Sequence, residues 1–238
     1  MRTTRRTPTV GIHGRGLLAL SAMALSTLAG CTPAESPTQP GPGTAEPIPW
    51  VEPSWKLRPG ADDRVAAALL TADRVGDLPA AGEPKEFVIE PELCGHRVAA
   101  FHHLSSNAAA MWRDGETRVL QGVGSFNTTV ADAAVAVTEL RDKATCESFM
   151  ARDGRHVLIK VPDLAPVAGV DAAHLLCEEL RGDKSGRGDE VRGARCTALL
   201  AREDVISVLC TIAPTREKAE SLTRVAADLS AATLVKAW

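Results

Sequence analysis

Apolar positions change their rhythm twice along this chain. Residues 16–30, GLLALSAMALSTLAG, are almost wholly apolar or small. Residues 32–60 show no apolar period. From about residue 61 to the end, strand and helix periods mix. Val65 to Leu70 is a short apolar run, and Thr71 fits the N-cap of a helical turn around Ala72–Leu78. Residues 86–90, 97–104, 117–124 and 155–161 read as strands. In the last, Val157, Ile159 and Val161 alternate with His156, Leu158 and Lys160, which predicts one buried face. Residues 129–151 carry the clearest helical period, with Val130, Ala133, Val137, Leu140 and Ala144 forming a stripe. Thr128 or Thr129 can cap this helix, and Asp132 suits its positive first turn. A second helix is expected over 215–234, with Leu222, Val225, Leu229 and Ala232 as its stripe. Two apolar runs, 194–201 and 204–213, flank Arg202-Glu203-Asp204 and predict a hairpin. Strands, helix, strands, helix is the order of an α+β fold: an antiparallel sheet with helices packed mainly on one face.

The N-terminus is of a different kind. Residues 1–15 carry Arg2, Arg5, Arg6 and Arg15 and no acid. The apolar run that follows spans 15 residues, whereas a membrane-crossing helix needs about 20. A basic segment followed by a short apolar one reads as a secretory signal. It ends Leu28-Ala29-Gly30-Cys31, which resembles the bacterial lipobox. That resemblance implies a diacylglyceryl thioether on Cys31, cleavage before it, and acylation of the new N-terminus. Two or more acyl chains make a stable anchor where one is marginal. Residues 31–60 then hold eight of the fifteen prolines. Proline withdraws backbone donors and favours extended chain, so this segment is a semi-stiff tether with a reach on the order of 90 Å. The chain therefore divides into a signal peptide (1–30), a lipidated Cys and tether (31–60) and a folded body (61–238). Trp50 and Trp55 interrupt the tether's polarity and are expected to dock on the body, or to sit at the lipid interface if the tether folds back.

Composition narrows the partners. The 238 residues are 45% hydrophobic and 24% charged with a net charge of −3, an ordinary globular balance. Loss of residues 1–30 removes four arginines and takes the charge to −7. Such a body has no electrostatic footprint for nucleic acid, and its expected membrane contact is the lipid. Aromatics are 3%, with no Tyr, which also argues against a stacking platform for bases.

With Cys31 lipidated, five thiols remain: Cys94, Cys146, Cys177, Cys196 and Cys210. Export makes disulfides expected. If Arg202–Asp204 is a three-residue loop, Ala201 faces Val205 and Cys196 faces Cys210, both pointing into one apolar layer. A bridge there is worth about 3 kcal/mol. Cys177 is the odd thiol, read as a buried unpaired one that behaves as a small hydrophobe. Two other readings stay open: competition with Cys210 for Cys196 across the 181–190 loop, and a switching or intermolecular disulfide.

The cysteines also carry a family pattern. PELC ending at Cys94, TC ending at Cys146, then RCTALLAREDVISVLC from Arg195 to Cys210 and a closing amphipathic helix, resemble the PknH-like extracellular sensor domains. These occur on mycobacterial serine/threonine kinases and in stand-alone actinobacterial lipoproteins. LLTADRVGDL (69–78) is similar to the start of that domain, and the resemblance spans about 65–238. It implies an antiparallel sheet with helices, disulfides Cys94–Cys146 and Cys196–Cys210, and a groove for a ligand not yet identified. It implies no catalytic residues and no cofactor, and this chain has no kinase domain.

The remaining motifs carry little chemistry. His96, His102 and His103 cluster in sequence, but neighbours on a strand point to opposite faces, so no metal site is expected. No nucleophile-elbow, zincin or phosphate-loop motif occurs in the sequence. Gly122-Val123-Gly124-Ser125 reads as a bend at a strand end, Asn127-Thr128-Thr129 as a chance sequon, and RGDKSGRGDE (181–190) as a charged loop. The expectation is a lipid-anchored, non-catalytic ligand-binding or sensor-type domain on the extracytoplasmic face of the cell membrane. It would take a small-molecule or envelope ligand. The alternative is an envelope lipid or glycolipid carrier, which needs an apolar cavity between sheet and helices.

Overall fold

A computed structural model describes residues 59–238, apart from 85–88, 90, 92, 95–96, 98–100, 102, 128–132, 152 and 183–187. The signal peptide, Cys31, the tether and the strand expected at 86–90 fall outside the described residues, Ile89 of that strand excepted.

The chain opens with α1 (Ala61–Ala68), followed by β1 (Arg74–Val75), β2 (Leu78–Gly82), β3 (Leu104–Asp114) and β4 (Thr117–Phe126). Then come α2 (Ala133–Lys143), β5 (Ser148–Ala151), β6 (Gly154–Ile159), β7 (Ala172–Arg181), β8 (Val191–Arg202), β9 (Val205–Ala213) and α3 (Arg216–Lys236). The strands form one sheet in the order β1-β2-β3-β4-β9-β8-β7-β6-β5. Every pairing is antiparallel. Two meanders, β1 to β4 and β5 to β9, thus meet where β4 pairs with β9. This is the α+β architecture that the alternating periods predict.

The helices divide between the two faces. α3 and α1 cover one face over Val119, Val123, Cys177, Cys196, Ala198, Leu200 and Leu209. α2 covers part of the other, over Leu176, Leu199, Ala201, Ile206 and Val208. The first face is sealed around a buried polar knot. Gln121 of β4 is fully buried. Its Nε2, with two hydrogens, shares its donation among Ser207 Oγ at 3.0 Å, Ser230 Oγ at 3.2 Å and Ala68 O at 3.3 Å, and its Oε1 accepts from Leu70 N at 2.8 Å. One side chain therefore joins β4, β9, α3 and the end of α1. A buried amide left without partners would be costly, so the knot holds the order of these elements.

Several boundaries differ from those the periods predict. The helix near residue 70 lies earlier, at Ala61–Ala68, and residues 72–78 form a two-strand turn instead. Gly76 supplies its left-handed φ of 60°, and a Cβ there would come within 2.8 Å of Leu222. The 129–151 helix stops at Lys143, and 148–151 become strand β5 by pairing with β6. On α3 the stripe is rotated. Ala219, Ala226, Ala227, Ser230 and Ala231 face the sheet, while Val225 and Leu229 are each 39% exposed. Small side chains let the helix approach closely, and the sheet's own large residues fill the interface. The strand placed at 97–104 begins at Leu104 and runs through SSNAAAMWRD. There, ten residue pairings to β4 override weak local strand preference. Gly122–Ser125 lies inside β4 rather than at a bend, and Leu104 covers Gly124.

The largest correction is the disulfide pattern. Cys94 and Cys146 are bonded, Cys177 is bonded to Cys196, and Cys210 is free. The β8–β9 loop has two residues, not three: Arg202 pairs with Val205. This shift by one sets Cys196 opposite Thr211 and Cys210 opposite Thr197. Alternate residues face opposite sides, so Cys196 and Cys210 lie on different faces of the sheet. Cys177 stands directly across from Cys196 on β7, with Cα atoms 4.1 Å apart. Non-reducing peptide mapping is expected to yield a Cys177–Cys196 peptide and an alkylatable Cys210 once the chain is unfolded. Cys177→Ala with Cys196→Ala should lower unfolding free energy by about 3 kcal/mol, measured in urea. Cys210→Ala should leave both disulfides in place.

Candidate functional site

The face that α2 only partly covers carries the charged and reactive groups. His156 of β6, Glu178 of β7 and Arg195 of β8 all point to it. Glu178 stands opposite Arg195 and Leu158, and His156 lies two residues along from Leu158. His156 is fully buried and Glu178 is 1% exposed. The imidazole Nδ1 lies 2.5 Å from Glu178 Oε2, and Nε2 lies 2.7 Å from Asp153 Oδ1 in the β5–β6 turn. Arg195 Nε donates to Glu178 Oε1 at 2.9 Å. Phe149 packs on the imidazole with ring centroids 5.0 Å apart.

Charges balance in this cluster when the imidazole is protonated, because each ring N–H then meets a carboxylate. Burial pulls the His156 pKa down, but hydrogen bonds to Asp153 and Glu178 outweigh it and hold the group above its ordinary value. The same bond to His156 pushes Asp153 down to about 2, against burial. Burial raises the Cys210 thiol, although Arg195 nearby opposes it, so Cys210 is a neutral thiol at pH 7. With both ring nitrogens engaged and no exposed surface, His156 is suited to holding β5–β6 to the sheet rather than to proton transfer. The strand reading of 155–161 placed His156 on the solvent side. Its burial was not visible there because its partners come from β7, β8 and a turn.

A groove runs along the flank of α2, with a volume of about 670 Å³. Ala134, Val135, Thr138, Glu139, Asp142 and Lys143 of α2 line it, with Asp171 and Ala172 where β7 begins. Lys143 Nζ pairs with Glu139 Oε1 at 2.5 Å. Asp171 accepts from Glu203 N of the β8–β9 turn at 2.6 Å. The lining is therefore a narrow apolar strip with a charged rim. None of these residues stands out in the sequence, because an exposed helix flank and a loop end share no periodic signature.

Of the residues the sequence singled out, Cys31, His96 and His102 lie outside the described residues. The carbonyl of His103 accepts from Asn127 N at 2.9 Å in the chain's turn into β3. Among the described residues, no group of three His, Cys, Asp or Glu side chains is placed to hold a metal. No described helix is long and apolar enough to cross a membrane.

No family model and no curated protein matches the chain. Solved structures similar to it include the following two. One is the extracellular domain of PknH from Mycobacterium tuberculosis, with a TM-score of 0.46 and 15% identity over 75% of this chain and 96% of that one. The other is an uncharacterised protein from Mycobacterium smegmatis, with a TM-score of 0.29 and 10% identity over 52% of this chain and 64% of that one.

The charge cluster has a pH signature. The His156 contribution to stability is complete below the unfolded value of about 6.5 and is lost as pH rises through its raised folded value. The Asp153 contribution is present above about pH 4 and is lost as pH falls toward 2. Glu178→Ala leaves His156 and Arg195 without their carboxylate and is expected to cost about 3–5 kcal/mol. His156→Gln should lower stability near pH 5 and flatten its decline on the alkaline side. Urea midpoints followed across pH check both.

Proposed function

We propose that this chain is a lipid-anchored extracytoplasmic domain that binds a small polar or amphipathic ligand and performs no catalysis. The observation that carries the ligand reading is the α2 groove. Its volume of about 670 Å³ falls in the range of small-molecule sites, and charges of both signs rim it. Export is supported by two disulfides in the body, the usual mark of an oxidising compartment, and by the basic and apolar segments that end at Cys31. The non-catalytic reading is supported by the chemistry of the titratable groups. His156 is locked between two carboxylates, and the Cys210 thiol is held neutral by burial.

Acylation of Cys31 anchors the chain, and the proline-rich segment holds the domain off the bilayer. Cys31→Ser is expected to move the protein from the membrane fraction to the soluble fraction, read by fractionation and by loss of the acyl mass. The ligand reading is tested by native mass spectrometry of the full chain purified from an actinobacterial envelope. The expected spectrum shows a non-lipid adduct that Thr138→Trp, which fills the groove, removes. An adduct with the mass of a lipid that Thr138→Trp removes would place the lipid in the groove and overturn this reading in favour of a lipid carrier, as would a non-lipid adduct that survives Thr138→Trp.

A further inference from the structure

Strand register sets three arginines in one transverse row on the partly covered face. Arg113 of β3 stands opposite Arg118 of β4, Arg118 opposite Ile212 of β9, and Ile212 opposite Arg195 of β8. Arg195 spends its charge on Glu178 at 2.8 Å. Arg113 and Arg118 are exposed and, among the described residues, neither forms an ion pair; Arg113 Nε donates to its own turn at Gly115 O. Like charges directly opposite on neighbouring strands repel. Side chains at such positions have Cβ atoms about 5 Å apart, a spacing at which two guanidinium forks can share one anionic group.

The next row inward is apolar. Met111 stands opposite Leu120, and Leu120 opposite Cys210. All three are partly exposed, as is Ile212 between the arginines. α2 does not reach them: its buried contacts lie farther along the same strands, at Leu199, Ala201, Ile206 and Val208. The Cys210 thiol is neutral and does not compete for an anion. A pair of unneutralised cations thus borders an apolar step of matching length.

We propose that Arg113 and Arg118, with Met111, Leu120 and Cys210 beneath them, bind an amphiphile that carries a phosphate or carboxylate headgroup. The two guanidinium groups clamp the headgroup, and the first carbons of the chain lie on the Met111–Leu120–Cys210 row. Charge complementarity selects the occupant, because an anion relieves the repulsion between Arg113 and Arg118, which have no ion-pair partner among the described residues. The site is separate from the α2 groove and does not depend on it.

The test uses the full chain carrying Cys31→Ser, so that its own acyl chains cannot compete. Three probes are titrated calorimetrically below their micelle concentrations: dodecyl phosphate, dodecyl maltoside and inorganic phosphate. Dodecyl phosphate is expected to bind most tightly, and its affinity should fall as salt is raised. Arg113→Gln and Arg118→Gln should each weaken it about tenfold, with the Tm unchanged or raised because the repulsion is gone. Thr138→Trp should bind dodecyl phosphate as the parent chain does. Equal binding of dodecyl maltoside and dodecyl phosphate would overturn the proposal, as would unchanged affinity in the double arginine variant. Loss of dodecyl phosphate binding in Thr138→Trp would place the amphiphile in the groove and also overturn it. A groove ligand seen from the envelope that persists in the double arginine variant would leave the groove reading standing whichever way these titrations fall.

Discussion

The two-residue turn between β8 and β9 is the constraint on which the rest of this structure depends. It contains no glycine or asparagine, and Glu203 takes a left-handed φ of 49° that such residues seldom adopt. Contacts from outside the hairpin hold it there. Glu203 N donates to Asp171, and the buried Asp204 carboxylate accepts from Ser125 Oγ at 2.5 Å and from Arg64 at 2.9 Å. The Asp204 carbonyl also accepts from Phe126 N at 2.7 Å. α1, β4 and the loop before β7 therefore converge on one turn. A shift of one residue would exchange the faces of every side chain on β9 relative to β8. Cys210 would enter the dry core, and the hydroxyl of Thr211 would leave it.

Once that register is set, the two faces acquire different physics. The face under α1 and α3 is closed by small residues on the helix and large ones on the sheet. Most of its polar groups answer one another: Gln121, Ser207 and Ser230 form a closed set, and Trp112 Nε1 donates to Ala72 O at 2.7 Å, while the buried Thr211 hydroxyl has no partner among the described residues. Cys177–Cys196 lies within this layer, where it ties β7 to β8 out of reach of solvent. Among the described residues, the other face is covered in part by α2 and by Ile89, Leu93 and Phe101, and it keeps its charges. Some are neutralised internally, as at His156, Glu178 and Arg195; others are not, as at Arg113 and Arg118. A fold that seals one side of its sheet and covers the other only in part has the place of its open surface chosen by that asymmetry.

Much of this is legible in the residues alone. The signal-like N-terminus, the proline-rich segment, the α+β class, the extent of α3, and the strands at β4, β6, β8 and β9 follow from composition and from periods of two and 3.6. These are local signals, and local chemistry is sufficient for them. The helical stripe of α2 was also legible through Ala133, Val137 and Leu140, which are buried as the period requires. On α3 the same reasoning turned the helix too far toward Val225 and Leu229, because a hydrophobic stripe is not the buried one when the opposing sheet supplies the bulk. β7 left no clean period because it is buried on both sides, Leu176 and Glu178 on one face and Leu175 and Cys177 on the other.

What the sequence determined by itself, then, is the α+β class, the two longer helices and the strands β4, β6, β8 and β9. Which cysteines meet, which way β9 faces, where His156 goes and where the open surface lies were decided only by tertiary structure. Each of these turns on a partner far away in the chain. Glu203 is held by a residue 32 positions earlier, and Asp204 by Ser125 and Arg64, which lie 79 and 140 positions away. A single-residue choice of register has almost no local free-energy signature. It is settled by the contacts that the whole sheet gains or forfeits when one strand turns over.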